Sequence, residues 1–267
     1  MSRRAIALLQ AAHGGPALAV TAVAAALALS ADLGVGRALM VVGAVFTGQL
    51  SIGWSNDLAD LGRDQRAGRR DKPLVNGTLD VRLVTNACRV ALFASVVLSL
   101  ACGAVAGAVN LLCTAAGWTY NLGLKSTWWS WLPYAVAFGG LPVFVSLAQV
   151  DAPFPPWWAP VAGALLGVGA HFVNVVPDLA DDEATGVRGL PHRLGARWSL
   201  LAATVLLVGA SVLLTVLAPA ERGPLTWLTL GLVLVLAACV TLGTGRTPFR
   251  AAVAIALVDV LALTWVR

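Results

Sequence analysis

Nine apolar runs, several close to the roughly 20 residues that span a bilayer, most constrain what this chain can fold into. They lie near residues 15–31, 37–55, 83–106, 108–123, 130–148, 157–177, 198–217, 225–243 and 249–266. Because 58% of the residues are hydrophobic and only 12% are charged, most of these runs have no polar face that could meet water. We therefore predict an all-α, polytopic membrane protein with about nine transmembrane helices.

The distribution of Lys and Arg between these runs predicts the orientation of the chain. On a nine-helix topology, fourteen basic residues fall on one side and three fall on the other, namely Arg37, Arg222 and Arg267. Cytoplasmic loops carry an excess of Lys and Arg, so we expect the N-terminus to be cytoplasmic and the C-terminus outside. The net charge of +5 is a property of these loops, and we expect a lipid bilayer and no nucleic acid as partner.

One acid lies well inside an apolar run. Asp259 belongs to the run 249–266, and an acid at that depth should face protein or water and not lipid. We expect it to make a buried polar contact to a neighbouring helix, with no role in chemistry.

A polar pattern occurs twice, over residues 56–73 and 174–191. The two copies align without a gap and share the pattern N-x3-D-L-x2-D-x3-G-x-R-x2-P. The shared pairs are Asn56/Asn174, Asp60/Asp178, Leu61/Leu179, Asp64/Asp182, Gly68/Gly186, Arg70/Arg188 and Pro73/Pro191. Loops that only set orientation would need Lys and Arg but not Asp, because acids contribute little to topology. The repeat therefore predicts a functional site at the cytoplasmic ends of two helices.

The acids of the repeat predict a site for a hard metal ion. Asn56, Asp60 and Asp64 are spaced i, i+4, i+8, so they share one face if the helix continues through them, and Asp57 lies beside them. The second copy brings three acids together on one turn: Asp178, Asp181 and Asp182. No Cys or paired His stands at metal-ligand spacing, so zinc and copper are poorly served. Oxygen ligands that leave room for substrate phosphates suit Mg²⁺.

The basic residues near these acids complete a site for a diphosphate. Arg66, Arg70 and Lys72 follow the first acids, Arg188 follows the second, and Lys125 lies between the two copies. Guanidinium and ammonium groups form strong, charge-assisted bonds to phosphate oxygens. We therefore predict a Mg²⁺-bridged diphosphate whose organic tail lies in the apolar bundle. Such a site would stabilise the charge that develops on a departing diphosphate.

These residues resemble the motifs of the UbiA superfamily of intramembrane prenyltransferases. The superfamily pattern N-D-x-x-D-x-x-x-D after the second helix is matched by Asn56, Asp57, Asp60 and Asp64. Its D-x-x-x-D after the sixth helix is matched by Asp178 and Asp182. Its basic stretch ending in R-P is similar to Lys72-Pro73, and its Tyr and Lys after the fourth helix are similar to Tyr120 and Lys125. The resemblance covers the whole chain.

The resemblance implies one UbiA-type domain over residues 1–267, with nine helices in a ring around a central cavity and both motifs at its cytoplasmic rim. The implied Mg²⁺ ligands are Asp57, Asp60, Asp64, Asp178, Asp181 and Asp182. The implied substrate-binding residues are Asn56, Arg66, Arg70, Lys72, Tyr120, Asn174 and Arg188. The implied catalytic residues are Asp60, Asp64, Lys125, Asp178 and Asp182.

The reaction that the resemblance implies is ionisation of an allylic prenyl diphosphate and transfer of the prenyl group to an aromatic or other lipophilic acceptor. A membrane terpene cyclase of the same superfamily, which needs no acceptor, is the alternative. An ion-coupled transporter is a third reading, and it would place acids near mid-span and not at helix ends. The sequence leaves open the prenyl chain length, the acceptor and the oligomeric state.

Overall fold

The computed structural model describes residues 3–184, 186–218 and 223–264, and within these ranges the regular structure is helical. Two of the basic residues used for the orientation, Arg222 and Arg267, lie outside the described residues. The helices are α1 (Arg3–Ala11), α2 (Gly14–Ser30), α3 (Gly34–Arg66), α4 (Val81–Ala101), α5 (Ala104–Asn121), α6 (Leu132–Leu147), α7 (Trp158–Val175), α8 (Leu179–Ala184), α9 (Leu190–Leu217), α10 (Pro224–Leu242) and α11 (Thr247–Thr264). Two short 3-10 helices cover Leu124–Ser126 and Val176–Asp178.

The long helices form a closed ring. Each of the nine predicted apolar runs corresponds to one described helix, although the boundaries differ: α2 to α7 and α9 to α11. Successive members of this series pack against one another, and α11 packs against α2 to close the ring. The helices meet through buried small and aliphatic side chains, among them Ala44, Leu207 and Ile255, which are inaccessible to solvent. Small residues permit this close approach of helices in a membrane.

Five described segments are long and apolar enough to cross a membrane: α3, α4, α7 with α8 (Trp158–Ala184), α9 and α10. The pair α1 and α2, bent by 71°, would make a sixth span, and α6 is a shorter apolar helix. Many Leu, Val, Phe and Trp side chains face outward, as expected of a surface that meets lipid. The prediction of a polytopic, all-helical chain is confirmed, and the number of nine spans stays a prediction.

The connection between α4 and α5 lies earlier than the sequence suggested. The boundary between the runs 83–106 and 108–123 placed it near Gly107, but α4 ends at Ala101 and the chain turns at Cys102 and Gly103. Gly103 has φ +116°, a conformation that glycine adopts without strain. Gly107 lies inside α5, where a Cβ would be 2.7 Å from the carbonyl oxygen of Ser99. Its role is therefore the close packing of α5 on the end of α4.

The helices of the two polar motifs end in the same way. In each copy the N–H of the shared glycine bonds the carbonyl three residues back, and the next N–H bonds the carbonyl five residues back. These bonds are Gly68 to Gln65 (3.2 Å), Arg69 to Asp64 (3.0 Å), Gly186 to Glu183 (3.2 Å) and Val187 to Asp182 (2.9 Å). This Schellman cap needs a left-handed residue, and Gly68 and Gly186 have φ +67° and +85°. The repeat in sequence is therefore also a repeat in backbone geometry.

The acid inside α11 makes the contact that was expected of it. Asp259 is 4% exposed. Its Oδ2 accepts a hydrogen bond of 2.8 Å from the hydroxyl of Ser211 on α9. The contact joins two neighbouring helices of the ring, as predicted.

Candidate active site

The centre of the site is the polar face of α3. This helix continues for 33 residues, beyond the apolar run, so Asn56, Asp60 and Asp64 lie along one face as their spacing predicted. Lys125 reaches this face from the 3-10 helix between α5 and α6. Its Nζ donates to both carboxylate oxygens of Asp60, at 2.6 Å each, and to Oδ1 of Asn56 at 3.2 Å. Arg63, one turn along α3, also pairs with Asp60.

Lys125 is a buried cation. Its side chain is 9% exposed, and its salt bridge is made to an Asp60 side chain that is 13% exposed. Burial lowers the pKa of Lys125, and the negative charge of Asp60 counteracts part of this effect. Asp182, from the second motif, also acts electrostatically on Lys125. The lysine therefore lies in the field of acids from both copies of the repeat.

Asp57 is the most deeply buried acid of the first motif, at 2% exposure. Its Oδ1 accepts from Nζ of Lys72 at 2.5 Å and lies 3.0 Å from Nε2 of His13. Lys72 also lies 3.9 Å from Oδ2 of Asp64. The second oxygen of Asp57, Oδ2, has no hydrogen-bond partner among the described residues. A buried carboxylate oxygen without a donor costs free energy, so it needs an explanation.

The bend between α1 and α2 brings His13 to this position. Gly53 of α3 has no Cβ, and a Cβ there would lie 2.0 Å from the carbonyl oxygen of Ala12. Trp54 adds a fixed contact, because its Nε1 donates to the carbonyl of Leu8 at 2.9 Å. His13 itself has φ 51°, in the left-handed region at the turn between the two helices. The glycine on α3 thus allows α1 to approach closely enough for His13 to meet Asp57.

Arg69 lies between the two motifs. It pairs with Asp71 in its own loop at 2.9 Å, and its NH1 lies 4.0 Å from Oδ2 of Asp181. The hydrogen bond to Asp71 raises the pKa of Arg69, with further contributions from the charges of Asp71, Asp64 and Asp178. The structure therefore brings the acids of both copies together around one arginine.

The second motif has its own histidine. Nε2 of His192 lies 3.3 Å from Oδ2 of Asp182, and the His192 side chain is only 4% exposed. Asp178 and Asp181 are exposed, in contrast to the buried acids of the first copy. The two copies therefore have the same helix cap, but their acids differ in exposure to solvent.

An aromatic layer lies beneath the acids. The ring of Tyr120 meets the ring of Tyr134 edge to face, with centroids 5.3 Å apart, and His171 lies 4.7 Å from Tyr134. The side chain of Asn174 is hydrogen-bonded to Tyr134. One turn deeper, Phe138 stacks on Tyr134 and lines a cavity of about 20 Å³. This volume holds about one water molecule.

Three predicted phosphate-binding arginines do not meet the acids in this structure. Arg66 is exposed, and its Nε donates to the carbonyl of Gly62 in its own helix. Arg188 pairs with Glu183 at 3.2 Å, and Arg70 is exposed, with no ion pair in the described part of the chain. Their roles stay predictions, whereas Lys72 and Lys125 form ion pairs with the acids.

Several residues at the site were not assigned to it from the sequence: His13, Arg63, Arg69, Tyr134, His171 and His192. Arg63 could have been found, since it stands three residues after Asp60 on the same helix. His13 carried no such signal, because its contact with Asp57 spans 44 residues and depends on the bend between α1 and α2.

Comparisons with known proteins agree with this architecture. Residues 17–262 match the model of the UbiA prenyltransferase family. A protoheme IX farnesyltransferase 1 of Paramagnetospirillum magneticum is 38% identical over 101 residues. That match spans 35% of this chain and 35% of the relative, so the chain aligns with about a third of its length.

Solved structures share the fold. A UbiA homolog from Aeropyrum pernix superposes with a TM-score of 0.75 at 19% identity, over 92% of this chain and 95% of the homolog. A UbiA homolog from Archaeoglobus fulgidus, bound to GPP and Mg²⁺, has a TM-score of 0.70 at 17% identity, over 97% and 100%. The predicted family and the predicted enzyme class are confirmed: this integral, multi-pass membrane protein belongs to the UbiA prenyltransferase family.

Proposed function

We propose that this chain forms one catalytic domain that ionises an allylic prenyl diphosphate in a Mg²⁺-dependent reaction. The prenyl group then passes to an aromatic or other lipophilic acceptor. One observation carries the proposal. Lys72 and Arg69 come from the loop after α3 and Lys125 comes from the 3-10 helix between α5 and α6, yet all three meet the acids of the repeat at one end of the helical ring.

The acids at this site fit Mg²⁺. They offer only hard oxygen ligands, and Oδ2 of the buried Asp57 carries a free lone pair with no donor among the described residues. Within the described ranges, no three Asp, Glu, His or Cys side chains lie close enough together to hold a metal ion without further ligands. We infer that phosphate oxygens of the substrate complete the coordination, as is usual for Mg²⁺. The residues that would hold it are Asp57, Asp60, Asp64, Asp178, Asp181 and Asp182.

Lys72 and Lys125 would hold the diphosphate beside these acids. Each ammonium group stands on a flexible four-carbon stem and offers three donors, so it can bond a phosphate oxygen near its present carboxylate partner. Arg69 would add a planar guanidinium from between the two motifs. The binding of GPP and Mg²⁺ by the homolog from Archaeoglobus fulgidus supports this assignment.

Ionisation breaks the bond between C1 of the prenyl chain and the diphosphate oxygen, and both electrons leave with the diphosphate. Lys72 and Lys125 stabilise the negative charge that develops on the leaving group. Mg²⁺, when bound, neutralises part of the same charge. The rings of Tyr120 and Tyr134 lie beneath the acids and present π systems that stabilise an allylic cation. A nucleophilic atom of the acceptor then bonds to C1, and the proton that this atom loses passes to water.

The acceptor question is decided by the products. Purified protein with Mg²⁺ and a panel of labelled prenyl diphosphates, with and without a lipid extract of the host, would be analysed for products. We expect a prenylated product only when the extract is present. A cyclic or rearranged hydrocarbon formed without the extract would show that the chain is a terpene cyclase.

We predict that Lys125→Gln weakens the binding of both substrate and inorganic pyrophosphate about ten- to a hundredfold. A charge-assisted bond to an ionised group contributes about 1.5–3 kcal/mol, and each 1.4 kcal/mol is about tenfold in affinity. The measurement is pyrophosphate inhibition at fixed free Mg²⁺. Arg82→Gln is the matched control, because Arg82 is an exposed basic residue near the same end of the ring with no side-chain contact to the acids. If Lys125→Gln binds pyrophosphate like the wild type, Lys125 has no part in the site.

We also predict the orientation of the protein in the membrane. In a background without native cysteines, Pro155→Cys in the connection between α6 and α7 should react with a membrane-impermeant maleimide in intact cells. Ala67→Cys and Ala184→Cys, beside the two motifs, should react only after permeabilisation. The reverse pattern would place the acids outside and would deny them a cytosolic substrate.

A further inference from the structure

We infer that Ser130 and His171 are positioning residues that hold the Lys125 segment against the loop following the second motif. The inference rests on the proposed function, since Lys125 matters there as a ligand of the diphosphate. Neither residue belongs to the repeat, and the side-chain hydrogen bonds of Ser130 and His171 in the described part of the chain are made to Leu190 and to each other, not to the acids.

Ser130 is a fully buried hydroxyl at the centre of a three-part contact. It stands between the 3-10 helix that carries Lys125 and the start of α6, and its exposure is 0%. The backbone N–H of Leu190, at the start of α9, donates to its Oγ at 2.9 Å. The same Oγ lies 3.1 Å from Nε2 of His171 on α7. One hydroxyl therefore joins the Lys125 segment, the loop after the second motif and the helix that leads into that motif.

The hydroxyl of Ser130 can make both bonds at once. Its Oγ accepts from the N–H of Leu190 through one lone pair. Its proton or its second lone pair bonds to Nε2 of His171, according to which ring nitrogen carries the imidazole proton. Nδ1 has no hydrogen-bond partner in the described part of the chain. Among the described residues, the ring thus acts in this network through Nε2, and a side chain with a polar group at that position can replace it.

The backbone contacts around this network are tight. A Cβ on Gly189 would lie 2.5 Å from the carbonyl oxygen of Lys125 and 2.8 Å from Oγ of Ser130. The loop after the second motif therefore lies against the backbone of the very residue whose Nζ meets Asp60. Because the two segments touch with no space between them, a shift of one displaces the other.

His171 also connects this network to the aromatic layer. Its ring is 1% exposed and contacts Tyr120 and Tyr134, with centroids 5.7 Å and 4.7 Å apart. Tyr120 and Tyr134 thus contact the imidazole ring inside the helical bundle, and Ser130 bonds it next to the Lys125 segment. Because His171 is held by both contacts, it fixes the position of the Lys125 segment relative to the helical bundle.

We expect Ser130→Ala to weaken the binding of Mg²⁺-pyrophosphate about tenfold, which corresponds to one misplaced charge-assisted bond. KM for the prenyl diphosphate should rise more than kcat falls, because the lysine is displaced before the chemical step. Ser95→Ala is the matched control. Ser95 is equally buried, but it donates to the carbonyl of Ala44 at a distant helix contact.

Two substitutions of His171 separate positioning from general packing. His171→Gln keeps an amide, which can donate or accept, near the Nε2 position and should bind pyrophosphate within about threefold of the wild type, whereas His171→Asn is too short and should match Ser130→Ala. Equal losses in both variants would show that the ring matters only for packing and would overturn the inference.

Hydrogen exchange tests the contact without reference to catalysis. In Ser130→Ala the peptides covering residues 124–131 and 187–193 should exchange faster, because the N–H of Leu190 loses its acceptor. Unchanged exchange in both peptides would overturn the inference, even if activity fell. If the wild type binds no Mg²⁺-pyrophosphate, the proposed function fails, and the exchange data still decide whether Ser130 holds the two segments together.

Discussion

Replacing Asp60 with Asn is expected to lower kcat/KM for the prenyl diphosphate about a hundred- to a thousandfold, as for the loss of a preorganised electrostatic group. Asp60 is 13% exposed, and both of its oxygens accept from Lys125. Asn preserves the shape of the side chain but removes the charge, so the buried Lys125 loses its counter-ion and Mg²⁺ loses a proposed ligand. The measurement is steady-state turnover of a labelled prenyl diphosphate in detergent or proteoliposomes.

The repeat makes this prediction sharper. Asp178 is the equivalent of Asp60 in the second copy, and Asp178→Asn should also reduce kcat/KM severely if each copy serves the same diphosphate. Asp151→Asn is the control, because Asp151 is an exposed acid in the connection between α6 and α7. Near-wild-type rates in both Asp60→Asn and Asp178→Asn would contradict a site built from two acid clusters.

Gly53→Ala is expected to destabilise the protein and to weaken the site at the same time. The added methyl group would lie 2.0 Å from the carbonyl oxygen of Ala12 and 2.5 Å from its carbonyl carbon. Backbone atoms cannot move aside as a flexible side chain can, so α1 must shift away from α3. Overpacking of this kind costs about 1–3 kcal/mol or more. His13 should then lose its contact with Asp57.

The matched control for Gly53→Ala is Gly62→Ala in the same helix. A Cβ on Gly62 meets nothing within 4 Å. Ala is about 1 kcal/mol better than Gly inside a helix, so this variant should keep or raise the thermal unfolding midpoint in detergent. Gly53→Ala should lower that midpoint and also raise KM. If the two variants melt at the same temperature, the close contact between α1 and α3 does not stabilise the protein.

The sequence predicted those features that depend on local spacing. The apolar runs predicted the positions of α2 to α7 and α9 to α11 in the described ranges, and the i, i+4 spacing of Asn56, Asp60 and Asp64 places these residues on one helical face. Gly68 ends that helix through its left-handed φ. Its equivalent Gly186 forms the same cap, which explains why the repeat includes a glycine whose side chain can do no chemistry.

The spacing of residues in the sequence did not predict the contacts between segments that are distant along the chain. Lys125 meets Asp60 across 65 residues, and although its position between the two copies suggested a role in the site, the spacing did not predict this contact. Arg66 and Arg63 illustrate the same limit within one turn of helix. Both are basic and close to the acids in sequence, but Arg63 pairs with Asp60 while Arg66 turns back to the carbonyl of Gly62. Which of them contacts the site depends on the phase of α3 relative to its neighbours.

The environments of the two copies were also beyond prediction from the repeat. Asp57 and Asp64 of the first copy are buried, whereas Asp178 of the second is exposed. Burial depends on packing around each motif: α1 and the loop after α3 cover the first copy, whereas the acids of the second lie in the two short helices after α7. Sequence equivalence therefore gave the position of each acid along its motif but not its surroundings.

The central claim is that both motifs bind one diphosphate together with Mg²⁺. It is tested most directly by calorimetric titration of the purified protein with geranyl thiodiphosphate, an analogue that resists ionisation. We predict saturable binding in Mg²⁺ that is lost in excess EDTA and is weakened at least about tenfold in both Asp60→Asn and Asp182→Asn. Equal affinity with and without Mg²⁺, or full affinity in either variant, would contradict the account.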